Sequence, residues 1–122
     1  MKRQRPVNLD LRTIHFPLAA LVSISHRISG VIVFIAIFGL LYLLDTSLST
    51  EAGFASLSAL GPIATFLLWG VLAALAFHTV AGVRHLFLDL GMGESREGGP
   101  RTALVTFIVS AVLIVLLGIW LW

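Results

Sequence analysis

The chain has 122 residues, of which 58% are hydrophobic and 11% charged, with a formal net charge of +2 and no cysteine. A soluble domain of this length cannot bury so much apolar surface, because small domains keep a large share of their surface in water. The lack of cysteine excludes disulfides and thiolate metal sites, and nothing in the composition suggests nucleic acid. We therefore expect an all-α membrane protein that forms a single domain over residues 1–122.

Three apolar runs give the positions of the expected membrane spans. They cover residues 28–44, 62–77 and 103–122. A spanning helix needs about 17–25 apolar residues, so the first two helices must continue through polar residues. Prolines suited to a first turn and the link "GMGESREGGP" give further boundaries. The prediction is a segment 1–16 followed by three helices in an up-down-up arrangement, at residues 17–44, 62–90 and 103–122.

Basic residues predict the orientation of these helices. They cluster before the first span and around the link between the second and third, at Lys2, Arg3, Arg5, Arg12, Arg27, Arg84, Arg96 and Arg101. The charged residues of the link 45–61 are both acidic, Asp45 and Glu51. The positive-inside rule then places the N-terminus in the cytoplasm and the C-terminus outside. A bacterial inner membrane is the expected location.

Polar residues of two helices are expected at one depth in the membrane. At 1.5 Å per residue, Arg27 lies about 26 Å from Leu44, and His78 lies about 24 Å from Pro62. In a hydrocarbon core of about 30 Å, both positions fall in the inner third. An ionised group there costs about 2.5–3.5 kcal/mol, so it usually faces a protein interior or a partner.

Each of the two helices carries its polar residues and a glycine on one face. On the second predicted helix (helix II, 62–90), His78, Gly82, His85 and Asp89 lie within about 60° of one another. On the first predicted helix (helix I, 17–44), the face carries Ser23, Arg27 and Gly30, with His26 at its flank. Arg84 points away from the helix II stripe, toward headgroups or a partner subunit. Extension of Arg27, Arg84 and Asp89 to the inner headgroups, and a packing role for His78, remain alternatives at this point.

The surroundings of His78 favour a non-covalently bound haem b. An imidazole can bind the iron, a glycine one turn on leaves room for the macrocycle, and deeper cationic groups can meet the propionates. His85 cannot reach the same iron, because it lies two turns along the same helix. His26 is better placed for a propionate. The second axial ligand is therefore expected from another chain.

The polar residues of helix I suggest a quinone site. Ser23 and Arg27 lie one turn apart and can donate hydrogen bonds to a quinone carbonyl. The charge of Arg27 would stabilise negative charge developing on that ligand. Asp89, at the cytoplasmic end of helix II, could deliver protons directly or through water.

Two motifs carry a family resemblance that covers essentially the whole chain. With "SISHRISG" (residues 23–30) and "HTVAGVRHLFLDLG" (residues 78–91), the sequence resembles the haem-bearing cytochrome b556 anchors of succinate dehydrogenase. The resemblance implies that His78 is an axial haem ligand, and that Ser23 and Arg27 belong to the quinone site. It also implies that His26 and Arg27 lie near the haem propionates. His85 and Asp89 match polar positions near the haem edge and the quinone pocket.

The resemblance also implies a function and partners. The chain would anchor a flavoprotein and an iron–sulfur subunit, and a second hydrophobic anchor would supply the other haem histidine. Ubiquinone would be reduced there, whereas this chain alone would have no succinate-oxidising activity. Three alternatives stay open: the anchor of a fumarate reductase, a structural anchor without haem, and a small multi-span transporter or proton channel without a cofactor.

Overall fold

The computed structural model describes residues 6–122, so the basic residues Lys2, Arg3 and Arg5 lie outside the described part. Within it, the helices are α1 (Leu18–Ser49), α2 (Glu51–Ser58), α3 (Pro62–Asp89) and α4 (Gly98–Leu121). Three of them, α1, α3 and α4, are long and apolar enough to cross a membrane. The secondary structure of residues 6–122 is therefore all-helical, with three candidate membrane spans.

Helix α1 begins directly after Pro17 and continues beyond the apolar run that was used to predict its end. The prediction placed that end at Leu44, whereas the helix ends at Ser49. Ser47 Oγ donates to the Leu44 carbonyl at 2.7 Å, and Ser49 Oγ donates to the Asp45 carbonyl at 2.6 Å. The end of the apolar run indicates where the side chains cease to be suited to lipid contact. The helix itself continues because no glycine or proline lies between Leu44 and Ser49.

Helix α2 lies in the link that the sequence analysis treated as a loop. Thr50 has an extended backbone conformation and caps this helix, with its Oγ1 accepting the Gly53 N–H at 2.9 Å. Such an N-cap satisfies a donor that has no partner within the helix. A helix of eight residues is too short to show a clear periodicity, so its apolar pattern did not predict a helix.

Helix α3 has a defined start and a defined stop. Pro62 occupies its first turn, where the missing N–H costs nothing. At the other end, Gly91 adopts a φ of 77°. Its N–H donates to the Leu88 carbonyl at 2.9 Å, and the Met92 N–H donates to the Phe87 carbonyl at 2.9 Å. This pair of bonds is a Schellman motif, and it turns the chain toward α4.

Helix α4 begins at Gly98, earlier than the Ala103 of the prediction. Ser95 Oγ accepts the Gly98 N–H at 2.9 Å, which supports the first turn. Pro100 follows in that turn, where a proline is tolerated. The glycines and the proline were interpreted as helix breakers, but the proline lies inside the start of the helix.

The core of the bundle lies where the three long helices meet. Val22 from α1, Ala81 from α3 and Ala103 from α4 are fully buried. Small residues at such a crossing let the backbones approach closely. Farther along, Trp69 joins α3 to α4, because its Nε1–H donates to the Ile114 carbonyl at 3.0 Å.

The outward faces of the long helices are apolar. Of the most apolar stretch of α1, only 6% is buried, and large side chains such as Phe34, Phe38 and Ile119 are about 70% exposed. In water such a surface would be a severe aggregation liability. The exposed faces are instead suited to an apolar environment such as the interior of a bilayer.

Candidate functional site

Three histidines from two helices meet on the inner face of the α1–α3 pair. The rings of His26 and His78 are stacked, with centroids 4.2 Å apart and planes 10° apart. The His85 ring lies 4.9 Å from the His26 ring at a tilt of 43°. His26 of α1 thus lies between His78 and His85, which the sequence analysis placed on one face of the same helix.

The hydrogen bonds of His78 determine which of its ring nitrogens is free. Its Nδ1 lies 3.1 Å from the carbonyl oxygen of His26 and 3.3 Å from Ser29 Oγ. The Ser29 hydroxyl in turn donates to the same carbonyl at 2.8 Å. A carbonyl only accepts, so Nδ1 carries the proton and donates it there. Nε2 is left with a lone pair, which is the form of imidazole that binds a metal.

Gly30 provides the space in which the His78 ring lies. A Cβ at this position would be 2.9 Å from His78 Cε1 and 3.4 Å from Nδ1, which is too close for an unshifted ring. The backbone of α1 therefore packs directly against the imidazole. No other residue type allows this approach without displacing His78.

The donor set fits an iron porphyrin better than a bare metal ion. Within residues 6–122, no group of three or more His, Asp or Glu side chains is placed to hold an ion. An isolated protein ion site needs several such ligands, whereas haem iron takes four from its macrocycle and needs only axial donors. His78 Nε2 has the free lone pair that such a donor needs, because Nδ1 is hydrogen-bonded to the His26 carbonyl.

The stacked rings of His26 and His78 do not form a pair of opposed donors in this structure. They lie face to face, with centroids 4.2 Å apart and planes 10° apart. Of the two residues, His78 is the one whose Nδ1 is held by a backbone carbonyl and whose Nε2 would be available to a haem iron.

The other predicted site residues lie at the edge of the bundle. Ser23 is half-buried, while Arg27 and Asp89 are exposed. Of the predicted stripe of Ser23, Arg27 and Gly30, Gly30 packs on α3, beside His26 and Ser29. The structure thus brings the histidines together and leaves the quinone candidates on the bundle surface.

Arg84 points away from the histidine stripe, as the sequence predicted, and in this structure it packs against α4, a contact that the sequence did not indicate. Its side chain is only 7% exposed and turns toward the first turn of α4. Nε donates to Thr102 Oγ1 at 3.2 Å, and Nη2 donates to the Gly99 carbonyl at 3.3 Å. Helix α4 packs on the side of α3 that carries Arg84, away from the histidine stripe.

Sequence reasoning missed Ser29. This residue is 6% exposed and contacts both histidines of the stacked pair. A signal was available, since Ser29 lies three residues after His26 and next to Gly30, on the same face of α1.

Comparisons with known proteins identify the family to which the chain belongs. A profile of the family described as succinate dehydrogenase/fumarate reductase transmembrane subunit matches residues 1–117. The chain is 43% identical to the succinate dehydrogenase cytochrome b556 subunit of Coxiella burnetii, over the full length of both. It is 34% identical to the protein of the same name from Paracoccus denitrificans, covering 92% of this chain and 88% of the relative. The resemblance expected from the two motifs is confirmed.

Proposed function

The chain belongs to the succinate dehydrogenase/fumarate reductase transmembrane subunit family, and from this premise we propose that it is the cytochrome b anchor of a succinate:ubiquinone oxidoreductase. In this function it anchors a flavoprotein subunit and an iron–sulfur subunit to a bacterial inner membrane. A second hydrophobic anchor subunit completes the haem and ubiquinone sites. Succinate is oxidised in the flavoprotein subunit, and this chain takes part in the step that passes the electrons to ubiquinone.

His78 is the residue proposed to bind the haem iron, and its hydrogen bonding is the observation that carries the proposal. Nδ1 lies 3.1 Å from the His26 carbonyl, so Nε2 keeps the lone pair. The name of both relatives, cytochrome b556 subunit, supports a b-type haem. When bound, that haem supplies a one-electron redox centre within the membrane.

The second axial ligand is proposed to come from the partner anchor. His26 stacks on His78 and His85 lies beyond His26, so neither ring faces His78 across a common iron. Both histidines, together with Arg27, are instead proposed to lie near the haem propionates. A guanidinium and two imidazoles can donate hydrogen bonds to those carboxylates.

Ser23 and Arg27 are proposed to bind ubiquinone at the inner edge of the bundle. Four residues on a helix span about 6 Å along its axis, so both side chains can approach one quinone head group. The exposure of Arg27 supports a site completed by another subunit. Asp89 is also exposed, near the end of α3, and is proposed to deliver protons from the cytoplasmic side.

The proposed topology has the N-terminus in the cytoplasm and the three spans in an up-down-up order. Contacts between α1 and α3 run in opposite order along the two helices, with His26 near Gly82 and Gly30 near His78. The basic residues flanking α1 and α4 support the cytoplasmic assignment. This orientation puts the histidine cluster on the side where the soluble subunits bind.

Purification through a tag on this chain tests the proposal. We expect a flavoprotein and an iron–sulfur protein to co-purify, and we expect the complex to reduce a ubiquinone analogue with succinate. A colourless protein that purifies without partners would contradict the proposal and favour a transporter or channel.

A fumarate reductase anchor is the second candidate, because the family includes both enzymes. Deletion of the gene separates them. Loss of aerobic growth on succinate is expected for the proposed function, whereas loss of anaerobic growth on fumarate alone would reverse the assigned direction.

A further inference from the structure

Arg84 carries a positive charge that the chain does not compensate. Its two hydrogen bonds go to neutral oxygens, those of Thr102 and Gly99. All six Asp and Glu residues of the sequence lie within residues 6–122, and none of them forms an ion pair with Arg84 there. A guanidinium has five N–H donors, so about three remain for another acceptor. Ser110 Oγ, and no Arg84 nitrogen, is the fully buried side-chain polar atom without a partner in residues 6–122, so the remaining Arg84 N–H groups are accessible to an anion from outside the chain.

An apolar groove lies beside this guanidinium. It has a volume of about 510 Å³ between α3 and α4, and Arg84 and Arg101 both line it. The rest of its wall is mainly aliphatic, including Val80, Val83 and Val105. Cationic groups and a long apolar wall in one groove are complementary to an anion that carries hydrocarbon chains.

The depth of the groove matches that of lipid phosphates. Arg84 lies about 33 Å along α3 from Pro62, which is close to the thickness of about 30 Å of a hydrocarbon core. Arg101 follows the start of α4, at the same end of the bundle. Basic pockets between membrane helices on the cytoplasmic side are suited to acidic lipid head groups.

We propose that this groove is a binding site for an anionic phospholipid. The phosphate accepts hydrogen bonds from Arg84 and Arg101, and an acyl chain lies along the valines of α3 and α4. The lipid neutralises the buried guanidinium and covers the α3–α4 seam. This site is independent of the haem and quinone sites, because its residues lie on the side of α3 that faces α4.

Lipid exchange on the purified complex tests the site. The complex is placed in phosphatidylcholine nanodiscs, phosphatidylglycerol is titrated in, and bound lipid is counted by native mass spectrometry. Arg101→Gln should weaken phosphatidylglycerol binding about fivefold or more, and Val105→Trp should abolish it by filling the groove. The matched control is Arg96→Gln, an exposed arginine outside the groove, which should bind like the unmodified complex.

Two results would overturn the proposal. One is equal binding by the Arg101→Gln and Arg96→Gln complexes. The other is an unmodified complex that does not prefer phosphatidylglycerol to phosphatidylcholine, as expected if a carboxylate of a partner subunit neutralises Arg84. The tests avoid replacing Arg84 itself, because its bonds to α4 also support folding.

Discussion

His26 and His78 lie on different helices, yet their imidazole rings stack with centroids 4.2 Å apart and planes 10° apart. The backbone carbonyl of the first residue also accepts the Nδ1 proton of the second, at 3.1 Å. His26 thus contributes to both the position and the tautomer of the His78 ring, together with Ser29 and Gly30 on the same helix. The proposed haem ligand depends on this contact between α1 and α3.

Gly30→Ala should disturb the proposed haem site. Its Cβ would lie 2.9 Å from His78 Cε1, so the imidazole must shift or the helices must separate. Overpacking of this kind costs about 1–3 kcal/mol. We expect lower haem content and a lower dissociation temperature of the complex. Gly39→Ala is the control. Gly39 lies on the same helix, and a Cβ there would meet nothing within 4 Å. Equal behaviour of the two variants would contradict the close packing at Gly30.

Ser29→Ala should raise the midpoint potential of the bound haem. Ser29 Oγ helps to accept the Nδ1 proton of His78, and its loss makes the imidazole a weaker donor to oxidised iron. A neutral hydrogen bond worth about 0.5–1.5 kcal/mol corresponds to about 20–65 mV for one electron. A redox titration measures this shift. Ser47→Ala, which removes a hydroxyl bound to its own helix, should leave the potential unchanged. A downward shift in Ser29→Ala would refute the expected role.

Arg27→Gln and Ser23→Ala should slow ubiquinone reduction and spare succinate oxidation. Each variant removes a proposed donor to the quinone, and a hydrogen bond to a charged group contributes about 1.5–3 kcal/mol. We therefore expect about a tenfold or greater loss of quinone reduction in Arg27→Gln. Reduction of a soluble dye by the flavoprotein and iron–sulfur subunits should continue. Arg12→Gln, an exposed arginine before α1, is the control. Unaltered quinone turnover in both site variants would remove the assignment of this site.

Trp69→Phe should weaken the contact between α3 and α4 without affecting the haem site. The change removes the bond from Nε1 to the Ile114 carbonyl, which is worth about 0.5–1.5 kcal/mol. Thermal dissociation of the purified complex should occur at a lower temperature, with an unchanged visible spectrum. Trp120→Phe is a suitable comparison, because Trp120 is 77% exposed. If both tryptophan variants dissociate alike, the bond to Ile114 is not a significant contribution.

The sequence predicted the long helices better than their connections. Apolar runs report lipid contact, so they located three spans but ended the first at Leu44, where the backbone remains helical to Ser49. The short helix α2 carries too few residues for a periodic signal. Pro100 was interpreted as a breaker, although it occupies a first turn. In each case local hydrogen bonding, rather than hydropathy, determines where the helix ends.

The sequence predicted which parts of the two helices lie at the same level, but not how the helices rotate against each other. Counting residues placed Arg27 and His78 at a similar level, and the angular pattern put His78 and His85 on one face of α3. How α1 rotates against α3 depends on packing at Gly30, which no single-helix pattern contains. The same limit applies to Arg84, whose burial is produced by α4.

Optical spectroscopy of a His78→Leu complex tests the central claim most directly. The reduced-minus-oxidised spectrum is recorded for complexes purified through this chain, with His15→Leu as the control because His15 is exposed and precedes α1. The unmodified and His15→Leu complexes should show the same low-spin b-type spectrum, and His78→Leu should lose it. A His78→Leu spectrum that matches the unmodified complex in position and intensity would show that His78 does not bind the iron.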